Sequence, residues 1–134
     1  MTERSVIRVA DVMEERYAII DGIATVAEAL DLMRREGTNF LIVAKRNEND
    51  EFGILMIRDV AEHVLAPHRA PDRTNVYEIM SKPVVSVRPE MDIRYCARLF
   101  HRIGISVAPV IEGDEIKGVI GYDQLVLKGL ARQA

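Results

Sequence analysis

Apolar residues along this 134-residue chain fall into short runs, and one outline of such a run occurs twice. Residues 53 to 60, Gly-Ile-Leu-Met-Ile-Arg-Asp-Val, close an apolar run with a charged pair; residues 118 to 125, Gly-Val-Ile-Gly-Tyr-Asp-Gln-Leu, repeat that outline in altered form. In each, a Gly opens a strand-like run, polar groups follow, and helical spacing of apolar residues begins directly after. Arg58, Asp59, Asp123 and Gln124 therefore fall where a strand ends and a helix starts. Such a junction offers free backbone N–H groups and a positive dipole end, which suit an anionic ligand.

The repetition runs nearly end to end. Sliding the chain by 67 residues puts Val9-Ala10-Asp11-Val12-Met13 on Val76-Tyr77-Glu78-Ile79-Met80, Leu32 on Leu99, Gly37 on Gly104 and Val43 on Val110. The offset falls to 65 where Gly53 meets Gly118, and the missing residues fall in polar turns, Arg46-Asn47-Glu48-Asn49-Asp50 and Gly113-Asp114. Turns are where a change of length is cheapest. Internal periodicity of this kind makes the repeat, not the chain, the unit of prediction.

Each repeat predicts a strand, a helix, a hairpin of two strands, and a second helix. In the first, Val6-Ile7-Arg8-Val9 reads as extended and leads into a turn at residues 10–13. Ala18-Ile19-Ile20 is a brief strand. Thr25 to Glu28 has the form of a capping box, and Val26, Ala29, Leu30 and Met33 then form a core-facing stripe ended by Gly37. Residues 39–44 and 52–57 are the hairpin strands, and a helix runs from Arg58 to about Leu65. The linker, residues 67–75, carries two prolines and almost no large apolar side chain. In the second repeat Val84-Val85-Ser86-Val87 is the brief strand, and Asp92 caps a helix whose stripe is Ile93, Cys96, Ala97 and Phe100. Gly104 ends that helix, residues 106–111 and 116–121 are the hairpin, and Asp123 to about Leu130 is the last helix. Its apolar residues spread over more than one face, as in a helix packed against another subunit.

A repeat of about 60 residues would bury only about 60% of its unfolded surface, so the two copies are expected to share one core. A net charge of −3 argues against a nucleic-acid surface, which carries a basic stripe. One Cys forms no internal disulfide, the start Met1-Thr2-Glu3-Arg4-Ser5 is polar, and no apolar run approaches the ~18 residues of a membrane span. The expectation is a cytoplasmic protein without a membrane partner.

The two tandem units, each with a Val-x-x-Val/Ile-Met lead-in and a Gly-apolar-apolar-x-x-x-Asp close, resemble a pair of cystathionine-β-synthase (CBS) domains, the Bateman module. The resemblance covers residues 5 to 132. It implies an α/β (α+β) fold of two βαββα repeats, residues 5–66 and 76–132, related by a pseudo-twofold axis with two clefts between them. It also implies a regulatory module, not an enzyme, that binds an adenosine-containing ligand such as AMP, ADP, ATP, NAD or S-adenosylmethionine. A homodimer joined through the helices is implied too, with residues 123–130, Ile57, Val60 and Val64 offering apolar surface. No cofactor is required, and the protein partner, unidentified, is expected to act in trans.

The family's Gly-x-x-Thr/Ser-x-x-Asp close puts a hydroxyl near phosphate and a carboxylate on the ribose hydroxyls. The resemblance places Asp59 at the ribose and Arg58 beside a phosphate, where a guanidinium forks onto two oxygens. Met56 stands where the hydroxyl is expected. The walls of this cleft would be Asn39, Leu41, Ile42, Tyr17, Ala18 and Ile19, with backbone groups reading an adenine edge and Tyr17 available to stack on the base. The second cleft, with Asp123, Tyr122, Val85, Ser106, Ala108 and Pro109, departs further: Gly121 replaces the hydroxyl and Gln124 the carboxylate. Asp123 serves there only if the turn shifts by one residue.

Plainer readings stand beside these. Asp59 and Asp123 are also first-turn acids of the kind that satisfy a helix N-terminus, Arg58 a solvated surface residue, Asn39 a turn residue, and Tyr17 a packed sheet-edge residue. Cys96 lies on the apolar stripe as a small hydrophobe. His63, His68 and His101 lack the spacing of a zinc site. A ligand-free scaffold that dimerises and docks on a partner is the alternative to the nucleotide sensor, and a small histidine enzyme is a third reading.

Overall fold

The computed structural model describes residues 6–133, so the polar start Met1-Thr2-Glu3-Arg4-Ser5 lies outside the described residues. Along the chain come α1 (Val9–Val12), β1 (Ile19–Ile20), α2 (Val26–Glu36), β2 (Phe40–Val43), β3 (Gly53–Met56) and α3 (Ile57–Val60), which continues as π-helix over Ala61–Leu65. A 3-10 turn (Pro71–Arg73), α4 (Val76–Ile79), α5 (Ile93–Ile103), β4 (Val107–Glu112) and β5 (Glu115–Gly121) follow. A π-helix (Gln124–Leu130) then runs into α6 (Ala131–Gln133).

The chain forms two compact units whose boundaries are not those of the sequence repeats. One is Tyr17–Val84; the other joins the residues up to Arg16 with those from Val85 onward. Each repeat's lead-in is thus built into the unit that holds the other repeat's strands. Hydrogen bonds show how. In the discontinuous unit Val9 N–H donates to the Met91 carbonyl at 2.8 Å and Ile93 N–H to the Ile7 carbonyl at 3.0 Å. In the Tyr17–Val84 unit Val76 N–H donates to the Ala24 carbonyl at 2.9 Å and Val26 N–H to the Thr74 carbonyl at 2.8 Å. Beyond each short helix the chain crosses a hairpin strand, pairing Glu14 with Val119 through two bonds of 2.8 Å and Ser81 with Ile54 through two of 2.9 Å.

Those crossings explain the glycine that opens the recurrent stretch. A Cβ on Gly118 would stand 2.5 Å from the Glu14 carbonyl oxygen. On Gly53 it would stand 3.1 Å from the Ser81 carbonyl oxygen and 3.0 Å from the Met80 sulfur. No side chain fits at Gly118, and at Gly53 the neighbouring atoms would have to give way slightly.

In the Tyr17–Val84 unit β1 runs parallel to β2, with Ile19 opposite Ile42, and β2 antiparallel to β3, with Phe40 opposite Met56. Its core gathers Val26, Ala29 and Met33 of α2, Leu41 and Leu55 of the sheet, Val60 and Val64, and Val76 and Ile79 of α4. The capping box holds as expected, Glu28 N–H donating to Thr25 Oγ1 at 3.1 Å, and Gly37 closes α2 at φ 64°. Asp50 in the hairpin turn accepts from Arg46 N–H at 2.8 Å and pairs with Lys82, which hold its carboxyl well below the usual carboxylate range.

In the discontinuous unit β4 and β5 are antiparallel, from Val107 opposite Gly121 to Glu112 opposite Glu115, with an irregularity between Val110 and Ile111. Val9 and Val12 of α1 pack with Cys96, Phe100, Ala108, Val110 and Ile120. Asp92 caps α5 by accepting from Arg94 N–H at 2.8 Å, and Gly104 ends it at φ 74°.

Four expectations are corrected. Buried apolar side chains gather in two clusters where one was expected, and each cluster draws on both repeats. The turn expected at residues 10–13 is a helical turn from Val9. The strand expected at 84–87 reduces to one parallel bridge, Val87 to Val110. In the other unit Ile42 N–H donates to the Ala18 carbonyl at 3.0 Å; the residue matching Ile42 is Pro109, which has no N–H to extend the ladder. Val60 and Val64, expected at a dimer surface, are buried.

Replacing Gly118 by Ala forces backbone apart and should cost about 1–3 kcal/mol, read as a fall in the urea midpoint with the slope unchanged. Ala at Gly113, whose Cβ would meet nothing within 4 Å but whose φ is 63°, should cost less.

Candidate functional site: the strand-to-helix junctions

Parallel pairing of β1 with β2 and antiparallel pairing of β2 with β3 put the start of β1, the start of β2 and the end of β3 at one end of the sheet. Tyr17, Ala18, Asn39, Arg58 and Asp59 gather at that end. Ile57 N–H, the first of α3, donates to the Asn39 carbonyl at 2.9 Å. Asp59, half-buried, accepts from Met56 N–H through Oδ2 at 2.8 Å, which ties the end of β3 to the first turn of the helix. Oδ1 has no partner among the described residues. Arg58 is exposed and Tyr17 half-buried.

Other wall residues are placed differently from expectation. Leu41 and Ile42 are fully buried, and Leu41 belongs to the core, so neither side chain lines an open surface. The Ile42 N–H is spent on the Ala18 carbonyl and is not left for an adenine edge. Ile19 is 46% exposed and does present an apolar side chain.

The discontinuous unit builds the same junction with different chemistry. Tyr122 N–H donates to the Ser106 carbonyl at 3.3 Å, matching Ile57 and Asn39. Gln124 Oε1 accepts from Gly121 N–H at 2.8 Å, matching Asp59 and Met56. The turn therefore does not shift to bring Asp123 into the Asp59 place; Asp123 is exposed and makes no capping bond. Tyr122 sets its ring edge-on to Phe100, centroids 5.5 Å apart. Val85 and Ser106 are exposed, whereas Ala108 and Pro109 are buried in the sheet. The capping role of Gln124 escaped the sequence reading, although its spacing of three from Gly121, equal to that of Asp59 from Met56, is the signal that carries it.

Among the described residues no group of three or more His, Cys, Asp or Glu is arranged to hold a metal ion, and no helix is long and apolar enough to cross a membrane. Cys96 is fully buried, and burial pushes its thiol up to about 11.

Two such units, a three-stranded sheet in one and a two-stranded sheet in the other, each leading into a helix start, make a tandem α+β module. A model of the CBS domain matches residues 9–66 and 76–128, and the chain belongs to that family as a CBS pair. CBS-pair proteins are generally regulatory ligand-binding modules. The fold is similar to that of a hexameric CBS-CP12 protein from bloom-forming cyanobacteria, with a TM-score of 0.90 and 38% identity over 96% of this chain and 74% of that one. In sequence the chain is 30% identical to an uncharacterized protein of Methanopyrus kandleri over 76% of its length, and 29% identical to a homoserine O-acetyltransferase of Methanosalsum zhilinae over 89%. The matches span about half of the first relative (52%) and about a quarter of the second (23%).

Two outcomes follow from the geometry. Asp59→Ala removes the bond to Met56 N–H and should cost about 1 kcal/mol in chemical denaturation, while Asp59→Asn, which keeps an acceptor oxygen as Gln124 does, should cost a fraction of that. The Cys96 thiol should resist a disulfide reagent in the native protein and react stoichiometrically once the chain is unfolded.

Proposed function

We propose that this CBS pair is a regulatory sensor of an adenosine-containing nucleotide, of the AMP, ADP or ATP class, and that it takes the ligand at the Asp59 junction. The observation that carries the reading is the state of Asp59. One carboxylate oxygen is anchored by Met56 N–H, so the group is held in place, and the other is open to accept from a ribose hydroxyl. Exposed Arg58 stands next to it as a partner for phosphate. The matching place in the discontinuous unit holds neutral Gln124, so the two junctions are unequal and the Asp59 junction is the stronger candidate.

The ligand acts by binding one arrangement of the protein better than another, since differential affinity is the only means by which it shifts an equilibrium. A partner protein receives the shift, and self-association through the helices supplies a second body to be rearranged. The relatives support a partner: one is named a CBS-CP12 protein and is hexameric, the other an acetyltransferase, and each extends beyond the region this chain matches. We place the protein in the cytoplasm, with no resident cofactor and no catalytic role of its own.

A ligand-free scaffold is the second reading, and one observation favours it. The bond Asp59 makes is the bond Gln124 makes, so helix capping alone accounts for an acceptor at both positions.

A thermal-shift titration against AMP, ADP, ATP, NAD and S-adenosylmethionine, with a guanine nucleotide as control, separates the two. At 100 times its dissociation constant a ligand stabilises the fold by about 2.7 kcal/mol, or several degrees for a domain of this size. The sensor requires an adenine-selective shift that Asp59→Asn abolishes while lowering the melting temperature of the free protein only slightly. No shift with any of them at millimolar concentration would leave the scaffold.

A further inference from the structure

Each lead-in ends in a methionine, Met13 after Val9-Ala10-Asp11-Val12 and Met80 after Val76-Tyr77-Glu78-Ile79, and the next residue is the one that crosses the hairpin. Both side chains lie over the notch that a hairpin glycine leaves. A Cβ on Gly118 would stand 3.1 Å from the Met13 sulfur, and one on Gly53 would stand 3.0 Å from the Met80 sulfur. Met13 packs on the apolar cluster of the discontinuous unit and Met80 on that of the Tyr17–Val84 unit. Both are half-buried, so each also meets solvent. An unbranched thioether bends into such a notch, which a stiff β-branched side chain does not.

The polar groups around these sulfurs are spent. The N–H and carbonyl of Glu14 bond those of Val119 at 2.8 Å, and the N–H and carbonyl of Ser81 bond those of Ile54 at 2.9 Å. An oxygen added to either sulfur therefore finds no free donor in the crossing, and a polar group without a partner there is costly. The side chain has to leave the notch, and the crossing loses its cover. The chain's one thiol does not compete for an oxidant: Cys96 is fully buried, and burial pushes it up to about 11, away from the reactive thiolate.

We propose that Met13 and Met80 are modification sites for a peroxide, and that their conversion to sulfoxides loosens the lead-in segments from the hairpins. The sulfur lone pair attacks one peroxide oxygen; an S–O bond forms and the O–O bond breaks. The proton on the transferred oxygen passes to the departing hydroxide, which leaves as water. Sulfur loses an electron pair and the peroxide gains it. A dithiol-dependent sulfoxide reductase returns the thioether, so the loosening is reversible. Both crossings answer to one chemistry because both are built from a methionine over a glycine. The proposal is independent of what binds at the Asp59 junction.

Graded hydrogen peroxide on the intact folded chain, followed by site-resolved peptide mass spectrometry and by thermal melts, tests it. Met13 and Met80 should gain oxygen well before the buried Met33, and the melting temperature should fall by several degrees in step with them. Leu is close to Met in volume, so a chain carrying Met13→Leu and Met80→Leu should hold its own melting temperature through the dose that lowers the wild type. Met56→Leu, half-buried at the other end of β3 from Gly53, should protect nothing. Three results overturn the proposal: Met13 and Met80 staying reduced until Met33 oxidises, both oxidising with the melt unchanged, or the fall persisting in the doubly substituted chain. Should that variant fail to fold, the wild type decides alone: treatment with sulfoxide reductases and dithiothreitol should restore the melt of the oxidised chain, and no recovery overturns the proposal.

Discussion

Backbone crossing backbone over a glycine is the contact on which each unit depends. Glu14 over Gly118 and Ser81 over Gly53 close enough to exchange two hydrogen bonds each, and they do so because nothing projects from the strand below. The crossing covers one edge of a hairpin that would otherwise present unpaired groups, and it fixes the short helix just before it. Through that helix Val9 and Val12 reach Phe100, and Val76 and Ile79 reach Leu55. A repeat by itself would lack the segment that completes its sheet and part of its core, which compounds the small-domain problem of limited burial.

The same framework sets the junction geometry and leaves its chemistry free. Asn39 and Ser106 receive the first helical N–H in their units, and Asp59 and Gln124 receive the last strand N–H. Any residue with an acceptor at that reach satisfies the backbone. A carboxylate or an amide is therefore a choice the fold does not make. Tyr122 packed on Phe100 in one unit, against Ile57 exposed in the other, is a second divergence at the same level.

Much of this was legible because local rules govern it. The capping pair Thr25 and Glu28, the stops at Gly37 and Gly104, and the stripes of α2 and α5 depend on residues three or four apart, which a sequence displays. The grouping of Tyr17, Ala18, Asn39, Arg58 and Asp59 came from the family resemblance and not from local spacing; the strand order brings them to one sheet end. What escaped depends on contacts distant along the chain. Periodicity says that Val9-to-Met13 resembles Val76-to-Met80 but not that each serves the other copy's strands. The loss of a strand at residues 84–87 traces to a missing N–H at Pro109, more than twenty residues away. Leu41 and Ile42 lie in a continuous apolar run, and such a run does not say which of its residues face a ligand and which the interior.

The interleaving of the N-terminal segment with the far end of the chain has a consequence for synthesis. Tyr17–Val84 is continuous, so it has all of its parts once Val84 has left the ribosome. The segment holding Ile7, Val9 and Val12 precedes that unit, yet its partners Phe100, Val110 and Ile120 follow some hundred residues later, a delay of several seconds at about 5–20 residues per second. Throughout that interval its apolar residues are interspersed with Arg8, Asp11, Glu14 and Glu15, charges that keep a waiting segment from premature association. A segment made before the continuous unit thus finds its place after it.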